Sequence, residues 1–243
     1  MRTLIGSVML SAFATLALLG AGVTSPAQAA QRALYPAMAP LGKYLMAGRQ
    51  DEIDLARTAA PRSISDQATI WVLTAHGYET AVKGTNGFTC EVDRSWTKAF
   101  DDDNFWNPKV RTPICFNGPA TRTVLPYTVF ETKLALAGAT EATIRDRLTA
   151  AVAADQLPLP ENGSIGYMMS KVSYIDDHVK AWHSHIMIYT PLALGANAGE
   201  SWGANRDGSP VVFDSAHKMW PQPWALFFVP VSHWSDGSSS PMM

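Results

Sequence analysis

The order of strand-like and helix-like segments is the feature that most constrains how this chain folds. Alternation of apolar and polar residues predicts two groups of strands, 69–74, 78–82 and 88–92, then 165–172, 181–190, 211–213 and 224–232. Between the groups, apolar residues recur at helical spacing over 124–137 and 141–154, and Thr140 can cap the second helix. A shorter helix is predicted over 50–60, and residues 93–121 are predicted to be irregular. This order is typical of an α+β fold, which we expect to be a single domain with a mainly antiparallel sheet and two or three helices packed on one side.

The beginning of the chain has the three parts of a signal peptide. Arg2 provides positive charge, residues 8–19 are almost wholly apolar, and Ala27-Gln28-Ala29 is a small-x-small cleavage site. The apolar run is shorter than the roughly 20 residues of a membrane-spanning helix. We expect residues 1–29 to be a cleaved signal peptide, and residues 30–243 to form one globular domain with a polar tail from about 235. The mature protein is then exported, periplasmic or extracellular, with no membrane insertion after cleavage.

The cysteine count fits an exported protein. Cys90 and Cys115 are its two cysteines, and in an oxidising compartment an even number favours one structural disulfide. The alternative is a reactive cysteine nucleophile, which outside the cytoplasm has to avoid oxidation.

The charge of the chain argues against some classes of partner. Its 19 basic and 21 acidic residues give a net charge of −2, and neither sign forms a long block. Nucleic acid and anionic membrane surfaces are therefore not expected as main partners.

The predicted strand 181–190 carries the candidate metal ligands. Period-two alternation places Trp182, Ser184, Ile186 and Ile188 on one face, which we expect to be the core face, and His183, His185, Met187 and Tyr189 on the other. The two imidazoles of that second face would lie about 7 Å apart. With Met187, and with His178 as a third imidazole from nearby, they are a candidate site for copper or zinc.

Two other interpretations of the histidines do not involve a metal. They can be partly buried sheet residues that are hydrogen-bonded to neighbours, or one of them can act as a general acid or base. Two familiar metal templates do not fit, because the glutamate of a cupin is missing after His185 and no His-Glu-x-x-His occurs. The serine-hydrolase elbow Gly-x-Ser-x-Gly is also absent.

Aromatic residues suggest where a flat ligand would bind. Five of the eight tryptophans fall in the last third of the chain, and Trp202 lies in a Gly- and Asn-rich loop. Trp202 and Tyr189 are therefore the candidate ligand-binding residues, the alternative being that the tryptophans are core residues.

Three functions remain open at this stage. The first is a non-enzymatic module that binds a small ligand or a transition metal. The second is an extracellular hydrolase acting on cell-wall or sugar material, with His183 or His185 as the base and a carboxylate from Asp176, Asp177 or the 195–210 loop. The third is a structural envelope protein without a site.

Overall fold

A computed structural model of the chain describes residues 34–181, 183–192, 211–213 and 220–241. Its α-helices are α1 (Arg49–Arg57), α2 (Arg62–Ser65), α3 (Gly118–Thr123), α4 (Leu125–Leu136) and α5 (Glu141–Ala153), with short 3-10 helices at Leu41–Lys43 and Ser95–Thr97. Its strands are β1 (Thr69–Thr74), β2 (Gly77–Val82), β3 (Thr89–Asp93), β4 (Thr112–Phe116), β5 (Ser164–Met168), β6 (His185–Pro191), β7 (Val211–Phe213) and β8 (Trp224–Pro230).

The eight strands form one sheet in the order β2-β1-β3-β4-β5-β6-β8-β7. Every neighbouring pair is antiparallel except β1 and β3, which run parallel over a short register. The predicted α+β fold with a mainly antiparallel sheet is confirmed.

Helices lie on both faces of this sheet rather than on one side. Ile53 and Ala56 of α1 pack with Ile70, Cys90 and other buried residues of β1, β3 and β4. On the opposite face α3, α4 and α5 cover a larger cluster that reaches from β4 to β8. Successive side chains of a strand point to opposite faces, so β4 contributes Cys115 to the first cluster and Ile114 and Phe116 to the second.

Local sequence explains where α4 ends and α5 begins. The side chain of Thr140 accepts a hydrogen bond from the backbone N–H of Thr143 at 3.2 Å, as the predicted cap of α5 requires. Gly138 has a φ of +79°, and Ala139 N–H donates to the carbonyl of Leu134 just beyond the end of α4. This is the left-handed turn that ends many helices, and it folds α5 back against α4.

The predicted disulfide is present and joins two adjacent strands. Cys90 of β3 lies directly opposite Cys115 of β4, and their sulfur atoms are bonded. A disulfide is compatible with an exported protein. Among the described helices, none is both long and apolar enough to cross a membrane.

A buried ion pair holds α1 to the sheet. Arg94, directly after β3, donates to Glu52 at 2.8 Å and to the backbone carbonyl of Tyr44 at 2.8 Å. Glu52 also accepts the backbone N–H of Leu73 at 3.0 Å, and both charged side chains are almost completely buried.

The structure corrects the prediction that residues 93–121 are irregular. This segment contains β4 and most of α3, which begins at Gly118 under the cap of Asn117. The strand predicted over 181–190 begins only at His185, which leaves His183 outside it.

The signal peptide lies outside the described residues. The polar end of the chain, predicted as a tail from about 235, folds back on itself through a bridge between His233 and Ser239.

Candidate functional site

A cavity of about 520 Å³ lies between α4 and the sheet, on the face opposite α1. Its floor consists of side chains from β4, β6 and β8, and its roof includes Tyr127, Thr128 and Glu131 of α4. Its volume falls within the range of small-molecule sites, roughly 300 to 1,000 Å³.

The side chains of β6 that face this cavity are His185, Met187 and Tyr189. All three are buried, whereas Ile186 and Ile188 on the other face are only half-buried. The expectation that the two isoleucines lie on the core face was therefore wrong. The helices decide which face of β6 is buried. The helix α4 and its neighbours cover the cavity face, while α1 packs on the opposite face of the sheet against β1, β3 and β4 rather than against β6.

Aromatic rings form one wall of the cavity. The ring of Trp224 meets Tyr127 edge-on, with centroids 4.6 Å apart, and meets Tyr189 in the same way at 5.6 Å. Phe116 lies 6.4 Å from the ring of Tyr189. Met187 adds a polarisable thioether, whose sulfur is 3.7 Å from the hydroxyl of Tyr189. This wall offers a flat or aliphatic ligand a rigid apolar surface.

Polar groups gather at one end of the cavity. Gln222 donates through its amide nitrogen to Glu131 at 3.1 Å, and both side chains are nine-tenths or more buried. The amide oxygen of Gln222 and the indole N–H of Trp224 are both buried without a hydrogen-bond partner among the described residues. A buried polar atom without a partner destabilises a fold by about 1 to 3 kcal/mol, so groups of this kind call for an explanation.

Burial also changes the acidity of Glu131. Removal from water raises the pKa of the Glu131 carboxyl well above its ordinary value of 4.5, and the charge of Asp93 adds to the increase. The carboxyl therefore favours its protonated form at the roof of the cavity.

A second acidic group lies behind the cavity wall. Glu91 and Asp93 are two residues apart on β3, so they share a face, and their buried carboxyl groups interact electrostatically. Burial and the neighbouring charge of Asp93 raise the pKa of Glu91 well above its ordinary value, and burial raises that of Asp93 to about 6. Both oxygens of Glu91 lack a hydrogen-bond donor among the described residues, and with its raised pKa Glu91 favours the protonated form.

The four predicted metal ligands do not converge. His185 and Met187 line the cavity, but the ring of His183 is 3.0 Å from the carbonyl oxygen of Pro241, and His178 lies on an exposed turn. Nδ1 of His185 donates to the backbone carbonyl of His183 at 2.6 Å, and burial lowers the pKa of its imidazole to about 4. Nowhere in the described residues do three or more His, Cys, Asp or Glu side chains group in a way that would hold a metal ion.

The two predicted ligand-binding residues have different outcomes. Tyr189 lines the cavity and is buried, and burial raises the pKa of its hydroxyl, which therefore stays neutral. Trp202 lies outside the described residues.

The more exposed end of the cavity carries charged side chains. Lys98 and Asp102 form an ion pair at 2.7 Å, and Asp176 contributes from the turn that follows Tyr174. The next residue of that turn, Asp177, is held by Lys109 at 2.7 Å and by hydrogen bonds from the hydroxyls of Tyr35 and Tyr174.

A larger groove of about 890 Å³ runs along the surface between residues 35–41, residues 100–106 and the α4–α5 turn. None of the buried unpartnered polar atoms belongs to a residue that lines it. The cavity under α4 is therefore the better candidate, although it is smaller.

Sequence reasoning missed Glu131, Gln222 and Asp93. The signal was present in α4, where Thr128, Glu131 and Thr132 recur at the spacing of one helix face and are all buried. Buried polar residues at this spacing are unusual on the core face of a helix, and two of them, Thr128 and Glu131, line the cavity.

Comparison of the chain with protein families, with curated proteins and with solved structures gives no match, so only the geometry of the cavity bears on function.

Proposed function

We propose that this protein is a non-enzymatic binding protein that holds a small, largely apolar molecule in the cavity under α4. The observation that carries the proposal is a cavity of about 520 Å³ lined by Gln222 and Trp224, whose amide oxygen and indole N–H are buried without a hydrogen-bond partner among the described residues.

A ligand would change the balance at these two atoms. Left alone, each destabilises the folded protein by about 1 to 3 kcal/mol. A ligand with a donor and an acceptor at matching positions removes that penalty, and the aromatic wall supplies apolar contact for the rest of the molecule. The arrangement of a mostly apolar pocket with a few convergent polar groups is typical of small-molecule sites.

The transition-metal version of this function has less support. Of its four predicted ligands, only His185 and Met187 line the cavity. The soft thioether of Met187 would favour copper, but two ligands do not complete the coordination sphere of a metal ion.

A hydrolase is the second candidate, and one observation favours it. Asp93 and Glu131 line the same cavity, and burial raises the pKa of both carboxyl groups, as in many acid–base pairs. His185 is less suitable as the base than the sequence indicated, because a pKa of about 4 makes its imidazole weakly basic. Release of sugar from a cell-wall polymer by the purified protein, lost in Asp93→Asn, would favour this candidate over simple binding.

We also propose that the protein acts outside the cytoplasm, in the periplasm or the extracellular space. The disulfide between Cys90 and Cys115 and the signal-peptide pattern of residues 1–29 support this location. A structural envelope protein without a site would share the location but gives no reason for the unpartnered atoms in the cavity.

Filling the cavity tests the proposal. Thr128 is 7% exposed and faces the cavity from α4, whereas the next residue, Val129, is 39% exposed on the outer face. We expect the uncharged fluorescent probe N-phenyl-1-naphthylamine to bind wild-type protein saturably, with one site. Thr128→Trp should weaken this binding by at least about tenfold, or 1.4 kcal/mol, and Val129→Trp should leave it unchanged.

A smaller substitution covers the case in which Thr128→Trp does not fold. Thr128→Met occupies part of the same volume with a flexible side chain and should weaken binding of N-phenyl-1-naphthylamine by a smaller factor. Non-saturable binding to the wild type, or equal affinity in a folded Thr128 variant and in Val129→Trp, would refute the proposal.

A further inference from the structure

The polar end of the cavity combines an acceptor, the amide oxygen of Gln222, with the indole N–H donor of Trp224 and the carboxyl of Glu131. The amide nitrogen of Gln222 donates to Glu131, and the amide oxygen of the same cavity-lining side chain is buried without a partner among the described residues. Gln222 is only 4% exposed, so water outside the protein does not satisfy that oxygen. A ligand group at this position has to donate hydrogen bonds.

The charges around the cavity point in the same direction. Among the described residues, its lining contains four carboxyl groups, those of Asp93, Asp102, Glu131 and Asp176, and a single lysine or arginine, Lys98. Lys98 is already paired with Asp102. This pair is neutral and Glu131 is protonated in the empty cavity, so the balance is set by the two other carboxyl groups, those of Asp93 and Asp176, which favour a cation over an anion.

The aromatic wall is suited to the same kind of ligand. Trp224, Tyr189 and Phe116 line the same cavity as Glu131 and are in ring contact with one another through Tyr189. Aromatic faces attract cations, by about 0.5 to 2 kcal/mol depending on how fully the pair is removed from water.

From these three observations we infer that the cavity selects a small organic amine, with its ammonium group between Glu131 and the amide oxygen of Gln222 and its apolar body against the wall of Trp224, Tyr189 and Phe116. The inference rests on the proposed binding function and adds the chemical class of the ligand.

Binding of an ammonium ion should release a proton from Glu131. The empty cavity favours the protonated carboxyl, and the arriving positive charge favours the carboxylate, so the proton of Glu131 leaves to solvent as the ammonium–carboxylate pair forms. No covalent bond of the ligand is broken or formed.

Other titratable groups face this position and have to be distinguished from Glu131. The acidic and basic ones are Asp93 from β3, Lys98 and Asp102 from the segment after it, and Asp176 from the turn after Tyr174. The imidazole of His185 is neutral at pH 7 because burial lowers its pKa to about 4. The hydroxyls of Tyr127 and Tyr189 are neutral because burial raises their pKa values.

A pair of probes with the same skeleton tests the inference. Tryptamine and tryptophol share an indole and a two-carbon chain, and differ in an ammonium group against a hydroxyl. We expect tryptamine to displace N-phenyl-1-naphthylamine at a concentration at least about tenfold lower than tryptophol at pH 7. Calorimetry of tryptamine binding in phosphate and in Tris buffer should show release of about one proton, because the two buffers differ in their heat of protonation.

Glu131→Gln provides the decisive variant. It retains an oxygen that can accept from Gln222 but removes the ionisable proton, so both the preference for tryptamine and the proton release should disappear. Glu79→Gln, the same change at an exposed position, should leave both unchanged.

The outcomes separate this inference from the proposed function. Equal displacement by the two probes, or a tryptamine preference that persists in Glu131→Gln, overturns the amine inference while leaving binding of an apolar ligand in place. Displacement by neither probe, with saturable binding of N-phenyl-1-naphthylamine, also overturns it. Only a lack of saturable probe binding overturns the proposed function itself.

Discussion

Replacement of Glu131 by glutamine should make the stability of the protein less dependent on pH. Glu131 is 3% exposed, and burial raises its pKa well above the ordinary value of 4.5. The folded protein therefore keeps a proton that the unfolded chain releases as the pH rises above about 4.5. The stabilisation linked to this proton is complete below the unfolded pKa and is lost as the pH rises towards the folded pKa.

The size of the effect follows from one proton. Where the folded state holds the proton of Glu131 and the unfolded state does not, the free energy of unfolding falls by about 1.4 kcal/mol for each pH unit. Glu91 and Asp93 are also buried with raised pKa values, so they act in the same direction in the wild type. The difference between Glu131→Gln and the wild type removes the contribution that Glu91 and Asp93 make to both proteins, and it reports Glu131 together with its electrostatic coupling to Asp93.

Urea unfolding at pH 5, 6 and 7 measures this difference. At pH 5 the two proteins should be within about 1 kcal/mol of each other, because glutamine retains an acceptor for Gln222. From pH 5 to 6 the variant should gain about 1.4 kcal/mol relative to the wild type. Glu79→Gln, at an exposed position, should show no such gain. A difference that stays constant from pH 5 to 7 would show that Glu131 is ionised in the folded protein, and the argument for a neutral carboxyl would be refuted.

Two further predictions concern the structure outside the cavity. Arg94→Met should lower the free energy of unfolding by about 3 to 5 kcal/mol, because it leaves Glu52 as an unpaired buried charge, whereas Arg49→Met at an exposed ion pair should lower it by less than about 1 kcal/mol. Equal losses of unfolding free energy in the two variants, measured by urea unfolding, would contradict the conclusion that burial makes the Arg94–Glu52 pair more important than the exposed one. Removal of the disulfide by Cys90→Ala with Cys115→Ala should lower it by about 3.5 kcal/mol, from the 25-residue separation of the two cysteines, and an unchanged midpoint of thermal unfolding would contradict this.

The fold class could be predicted because most elements of this chain carry their own periodicity. The strand β1 and the helix α5 with its Thr140 cap lie where the sequence places them. Strand β4 could not be predicted in the same way. All five of its residues are buried, so it lacks the apolar–polar alternation of a half-exposed strand. It also contains Pro113, a residue type that argues against a strand in a sequence-based prediction.

The candidate site depends on an arrangement that alternation does not determine. The sequence correctly separated His185, Met187 and Tyr189 from Ile186 and Ile188 as two faces of one strand. It did not determine which face α4 would cover, since that follows from the order of strands in the sheet and the side on which the helices cross it. Hydrophobicity alone favoured Ile186 and Ile188 as the buried face, although the thioether of Met187 and the phenol of Tyr189 are as well suited to line a cavity.

The polar face of α4 indicates why the cavity exists. A helix chosen only for stability would place apolar residues where Thr128, Glu131 and Thr132 face the sheet. Trp96 donates to Thr132 at 3.0 Å, and Gln222 donates to Glu131, so two of these polar groups are held in place from other elements. Positioning by partners from outside the helix is expected where a group acts on a ligand, and a buried carboxyl that destabilises the protein at neutral pH fits a binding role better than a structural one.

Strand β3 shows how this destabilising group is accommodated. Cys90 and Val92 face α1, where the disulfide and a dry apolar cluster stabilise the sheet. Glu91 and Asp93 alternate with them on the other face, where Asp93 lines the cavity and Glu91 is fully buried. Because neighbouring residues of one strand serve the two faces, loss of the disulfide should lower the stability of the protein without changing the affinity of a folded molecule for N-phenyl-1-naphthylamine. A parallel loss of affinity, measured well below the unfolding transition, would show that the two faces are coupled.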